Sequence, residues 1–227
     1  MALLTKIHWA ALLLVTFSAT LNAQAPGPEK TPEPDAKNQA IIQPKPEELI
    51  NKLRQLGLAL LEFDTEYGEY PCIGSIESVR EVTQTKMKLG TKDSGDFFDQ
   101  LVATEILNDR TIFTFPDPKA PKNAEGNPAT TTFSYISGAS SANHPSCPLA
   151  LHPLINGKKI FDREAMGGKA VILFIDLSVR VYPIEADGTV KLNGKDLFDP
   201  SQPYWGSREI TVKWPRLTKP ANPAKAP

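Results

Sequence analysis

The sequence predicts an α+β domain in which a long N-terminal amphipathic helix lies on a small antiparallel β-sheet, with a short second helix beside it. Three observations carry the prediction. Apolar residues recur at helical spacing between Pro46 and Pro71, the segment Lys169 to Leu192 alternates strand patterns with tight turns, and helical patterns precede strand patterns along the chain.

The long helix is the strongest element. Leu49, Leu53, Leu56, Leu60, Phe63 and Tyr67 follow one another at alternating spacings of four and three, which lines one helical face with apolar groups. Lys52, Arg54, Gln55, Glu62 and Glu66 fall on the opposite side, so the helix is expected to lie on a surface rather than be enclosed. Pro46 suits the first helical position, Glu47 and Glu48 complement the positive end of the helix, and Gly68 can supply a left-handed stop. At 1.5 Å per residue, roughly 22 residues span about 33 Å. Asp96 is placed to cap the second helix, whose apolar side is Phe97, Phe98, Leu101, Val102, Ile106 and Leu107. A shorter helical turn is readable from Ser75 to Val82.

Strand patterns occupy Thr111 to Phe115, Thr131 to Ile136, Lys169 to Asp176, Ser178 to Ile184, Thr189 to Leu192 and Arg208 to Trp214. Ala170 to Ile175 is apolar on both alternating faces, as a central strand requires. A tight Asp176-Leu177-Ser178 connection and an Asp187-Gly188 turn follow, so three consecutive strands are expected to form a meander. Gly167-Gly168 is read as a bend feeding the central strand, because no helix and no Lys-Ser/Thr pair follows to make a phosphate loop.

The chain ends differ from this core. Lys6 precedes an apolar run from Ile7 to Leu21, and Leu21-Asn22-Ala23 offers a cleavage site, so residues 1–23 read as a secretory signal cut between Ala23 and Gln24, with an uncleaved anchor as the alternative. The run of about 15 residues falls short of the ~20 that span a bilayer as a helix, so no stable membrane span is expected after cleavage. Residues 24–45 are rich in Pro, Glu, Lys and Ala and read as a disordered spacer; residues 218–227 read as a Pro/Ala/Lys tail. The folded domain is then 46–217. With 227 residues, 41% hydrophobic and 22% charged, and a formal net charge of −1, the chain suits one soluble domain with low-complexity ends. That balance leaves no electrostatic footprint for nucleic acid or an anionic membrane. Export to the periplasm or beyond would allow Cys72 and Cys147 to pair, closing a large loop; two buried thiols are the alternative, and neither cysteine has the Cys-x-x-Cys setting of a reactive one.

Three segments resemble the globular part of a bacterial type II secretion pseudopilin of the G type, in the branch that carries a histidine, nine residues, then Asp-Gly. They are Asn51 to Leu60 followed by Tyr67-Gly68-Glu69-Tyr70-Pro71, then Phe133 to Gly138, and then Gly168 to Arg180, where Asp176, Ser178 and Arg180 stand in the family's Asp-Gly-Ser-Val-Arg hairpin. The resemblance covers roughly Pro46 to Leu192 and implies a pilin-like fold and a protein partner in the cell envelope. It also has departures. Met166 stands at the histidine position, and Leu177 at the Gly position, where a leucine suits positive φ poorly and a different turn is expected. The family's N-terminal sorting signal is absent, so standard filament assembly is not expected, and a monomer or weak oligomer is.

Candidate chemistry is sparse. His144, Cys147 and His152 lie within one Pro-rich stretch, but their spacing matches no common zinc arrangement, and the stretch reads as a rigid surface loop. Asp187, Asp196 and Asp199 read as turn acids rather than calcium ligands, and Asp93 with Asp96, or Glu62 with Asp64, as helix caps and a wet face. No nucleophile-elbow, zincin, Walker or dinucleotide pattern occurs, and no cofactor is called for. The expected function is therefore an exported, pseudopilin-like, non-catalytic envelope protein that acts through protein contacts. The alternatives are a glycan-binding module using the late aromatics Tyr204, Trp205 and Trp214, and a metal-dependent hydrolase built on His144 and His152.

Overall fold

The computed structural model describes residues 46–115, 131–206 and 210–216. The expected signal, its cleavage site at Ala23 and Gln24, the spacer and the tail lie outside them. The described chain is α+β. Helix α1 (Pro46–Tyr67) is followed by α2 (Ser75–Thr83), α3 (Ser94–Ala103) and a 3-10 turn at Arg110–Phe113. Strands β1 (Ser134–Ser137), β2 (Pro148–His152), β3 (Lys169–Phe174), β4 (Val179–Pro183), β5 (Lys191–Leu192), β6 (Lys195–Asp196) and β7 (Thr211–Lys213) come after.

Helix α1 forms where its periodicity predicts. Leu49, Leu53, Leu56, Leu60 and Phe63 are fully buried. Each such burial contributes up to about 1.5–3 kcal/mol, so this stripe is the largest single hydrophobic contribution any helix here can make. Gly68 ends the helix at φ +79°, its amide donating to Asp64 O at 2.8 Å. The stripe rests on β3 and β4, with α3 and the 3-10 turn alongside. Gly57 lets the backbones approach, since a Cβ there would lie 3.0 Å from Leu173 Cδ1 and 3.6 Å from Leu177 Cδ2.

The main sheet has the order β4-β3-β2-β1-β7, every neighbouring pair antiparallel. Strands β1 to β4 make a consecutive meander, shifted upstream of the expected one. The added strand is β2, inside the His144 to His152 segment that reads as a surface loop. Pro148 takes the first strand position, where its missing N–H is tolerated, and Leu149, Ala150 and Leu151 are fully buried. The expected third strand does not extend the sheet. Lys191–Leu192 instead folds back on Lys195–Asp196 through Asn193 and Gly194, both at positive φ, the backbone a two-residue hairpin turn needs. Buried Gln202 secures this hairpin, its Nε2 donating to Leu192 O, Lys195 O and Asp196 O.

Two further expectations are corrected. Thr111 to Phe115 is not a strand: the Asp109 carboxylate accepts from Thr111 N at 2.9 Å, and Lys52 Nζ donates to Thr111 O and Thr114 O at 3.0 and 2.7 Å, engaging carbonyls a ladder would need. The β3–β4 turn keeps its left-handed residue: Leu177 adopts φ +62°, and its amide donates to Phe174 O at 3.0 Å. A leucine there costs about 1–2 kcal/mol of backbone strain. Packing of the Leu177 side chain against α1 at Gly57 offsets part of that cost.

Helix α3 is capped by Asp93, not Asp96. Asp93 accepts from Asp96 N, and the Asp96 side chain returns a contact to the cap backbone, a capping box. The strand end after β7 is tied to this helix start. Ser94 N donates to Trp214 O at 2.8 Å, and Arg216 pairs with Asp93, Asp96 and Asp99 at 3.1, 2.8 and 2.8 Å. Burial alone would lower the Arg216 pKa, but hydrogen bonding to Asp99 and the charges of the three carboxylates outweigh it and hold the guanidinium charged more firmly than usual. Arg216→Ala leaves that cluster with Arg110 as its remaining guanidinium. The variant is expected to lose about 1–3 kcal/mol in urea unfolding, discounted for partial exposure; a loss under about 0.3 kcal/mol contradicts the clamp.

Candidate functional site

The exit of α1 and the turn after β1 build one edge of the molecule together. Asp64, in the last turns of α1, is buried rather than wet: its carboxylate accepts from Ser141 N at 3.3 Å and Ser141 Oγ at 2.5 Å. Tyr70 N donates to Ala139 O at 3.2 Å, and the Tyr135 hydroxyl donates to Pro71 O at 3.0 Å. These bonds hold the Gly68 to Gly74 loop against β1 and the loop that follows it.

Two clefts meet along this seam at Gly138. A polar cleft of about 290 Å³ is lined by Gly68, Glu69, Gly138, Ala139, Ser140 and Asn143. A second, of about 340 Å³, runs past Cys72, Ile73, Gly74, Ser137 and Gly138 to Thr211 and Lys213 on the edge strand β7. Ile73 is 62% exposed beside it, and β7 has no sheet neighbour on its outer side among the described residues. Backbone groups, the hydroxyls of Ser137, Ser140 and Thr211, the Asn143 amide, the Glu69 carboxylate, the Lys213 amine, the Cys72 thiol and the apolar Ile73 line the two clefts.

The Cys72 thiol and the Tyr70 hydroxyl at the seam stay protonated. Burial pushes the Cys72 thiol up, with Glu69 adding to it and Ser75 opposing, so it is not poised as a thiolate. Burial, followed by the charges of Asp64 and Cys147, pushes the Tyr70 hydroxyl up to about 12. That hydroxyl is buried and makes no hydrogen bond among the described residues, a cost of about 1–3 kcal/mol.

The residues singled out from sequence are dispersed. Asp176, Ser178 and Arg180 come together, but as a turn clamp. Asp176 accepts from Ser178 N at 2.9 Å, from Ser178 Oγ, and from Arg180 at 2.7 Å, while the Arg180 guanidinium stands 4.9 Å from the Phe174 ring centre. His144 packs near Tyr204, whereas His152 sits edge-on to Phe115 and Phe133 with Nδ1 3.2 Å from Thr132 O. Among the described residues no group of three His, Cys, Asp or Glu side chains is arranged to hold a metal. Asp187, Asp196 and Asp199 each accept from a backbone amide two residues on, and those bonds lower Asp187 and Asp199 below the ordinary carboxylate range. Tyr204 and Trp205 are buried and both donate to Leu197 O, so they offer no exposed platform for a sugar; Trp214 is half-buried.

Sequence reasoning missed the seam because its anchors are distant in sequence. Asp64 and Ser141 are separated by 77 positions, and nothing in the Glu62 to Asp64 pattern marks one acid as buried. The regular Asp93, Asp96, Asp99 spacing was a usable signal for one charged helix face, but Arg216 was not. No known protein family, curated protein or solved structure matches this chain.

The bridge expected between Cys72 and Cys147 is not formed in this structure. Both sulfurs are buried and locally engaged, Cys72 accepting from Gly74 N at 3.0 Å and Cys147 donating to Pro148 O at 3.7 Å. Alkylation without reductant is expected to be slow in the native protein and to add two labels in urea; absence of both labels in urea contradicts the thiol state.

Proposed function

We propose that this chain is an exported, pilin-like protein of the cell envelope that acts through protein contact rather than catalysis. The observation that carries the reading is α1 itself. It is a long helix whose apolar stripe is taken up by the β3–β4 hairpin, closed by Gly68, and followed at once by a loop that builds a groove. The same order of helix, exit loop and hairpin is what the resemblance to type II secretion pseudopilins implies for these residues. The Pro-rich composition of residues 24–45 argues against assembly through a shared apolar helix ahead of α1, so a docked head is favoured over a filament subunit.

The groove favours a polypeptide partner. An edge strand offers main-chain donors and acceptors, and Ile73 offers an apolar contact beside them. Localisation follows from the N-terminal charge, apolar run and small-residue site, which support export with cleavage between Ala23 and Gln24.

Two measurements test this. N-terminal sequencing of protein recovered from the producing cell is expected to begin at Gln24; a retained Met1 contradicts the cleaved signal. A photo-cross-linking side chain at Ile73 or Asn143 is expected to give a discrete adduct with an envelope protein, while the same group at exposed Lys158 gives none. Adducts at all three positions, or at none, reject the groove as the contact surface.

A further inference from the structure

The outer face of α1 is unpartnered in the described structure, and its charge pattern is self-complementary. Leu58, near the middle of the helix, is 62% exposed. Arg54 stands four residues before it and Glu62 four residues after it, both exposed. Neither makes an ion pair with any described residue, unlike Lys52, which is tied to Glu48 and to the 3-10 turn. We infer that this face docks a second copy of the same chain, as an antiparallel α1–α1 pair about a two-fold axis passing at Leu58.

The geometry follows from helical spacing. Residues four apart share a face and lie about 6 Å apart along the axis, so Arg54, Leu58 and Glu62 form one stripe. Antiparallel pairing about Leu58 sets the two leucines against each other. It also sets each Arg54 opposite the partner copy's Glu62, so one two-fold axis makes two equivalent ion pairs. Parallel pairing in register sets Arg54 on Arg54 and Glu62 on Glu62, so the pattern selects the antiparallel arrangement. Glu47 meets no like charge across the axis, since α1 ends at Tyr67 and Glu69 belongs to the exit loop.

This association rests on α1 alone and does not depend on the pilin-like reading. It is weak by construction, since a single helix face with one central leucine is a small interface. Sedimentation equilibrium of the full chain from about 10 μM to 1 mM is expected to show a monomer–dimer equilibrium that weakens as salt is raised.

Arg54→Glu alone, and Glu62→Arg alone, are each expected to raise the dissociation constant at least about tenfold, because both symmetric pairs become repulsive. The double variant Arg54→Glu with Glu62→Arg is expected to return within about threefold of the original. Leu58→Asp is expected to stay monomeric across the range. All three positions lie on an exposed surface, and circular dichroism with urea unfolding shows whether each of the four variants folds. A chain that stays monomeric to 1 mM overturns the inference. So does a dimer that survives both single charge reversals, or a double variant no better than the singles.

Discussion

The contact of α1 with β3 is the constraint on which the other packing depends. Gly57 brings the helix close enough for Leu173 to reach its backbone, and Leu177 is held at positive φ beside the same point. Those three residues fix the height of the helix over the sheet. With the height fixed, the 3-10 turn is drawn under Lys52 and the exit loop meets the turn after β1 through Asp64 and Tyr70. The groove is a consequence of that placement. It exists because a helix ending at Gly68 must pass its chain across the end of β1 to start α2.

A second layer of constraint ties distant segments together with polar groups. Buried Gln100 accepts from Ser75 Oγ at 2.7 Å and donates to Cys72 O at 2.9 Å, linking α3 to the start of α2. Ser94 donates to Phe133 O at 2.6 Å, linking α3 to the sheet. Such buried groups stabilise little on net but cost about 1–3 kcal/mol each when left without partners. They therefore select one arrangement of the helices over its near neighbours. The hydrophobic stripe of α1 makes the domain fold, and these bonds decide which fold it is.

Local signals were read well and distant ones poorly. The bounds of α1, its left-handed stop and the apolar central strand all rest on spacing within one segment, and the helix and strand form there. The His144 to His152 stretch reads as a loop because Pro145 and Pro148, with Pro153 just beyond, dominate its local pattern. Only Leu149, Ala150 and Leu151 speak for the strand, and a run of three is too short to decide between strand and loop. The Asn193-Gly194 pair was a readable hairpin signal that pointed away from a third sheet strand. Leu177 shows the limit from the other side. Propensity disfavours its backbone, and only the neighbouring helix explains why it is tolerated. The groove was not legible, since Gly138, Ile73 and Lys213 meet through sheet order alone.

Helix α1 and strand β3 form one cooperative unit, and native-state hydrogen exchange tests that most directly. Amides from Leu56 to Phe63 and from Val171 to Phe174 are expected to exchange only through global unfolding, with the same free energy and the same dependence on denaturant. Exchange of the α1 amides through a separate opening, several kcal/mol easier than that of β3, would contradict it.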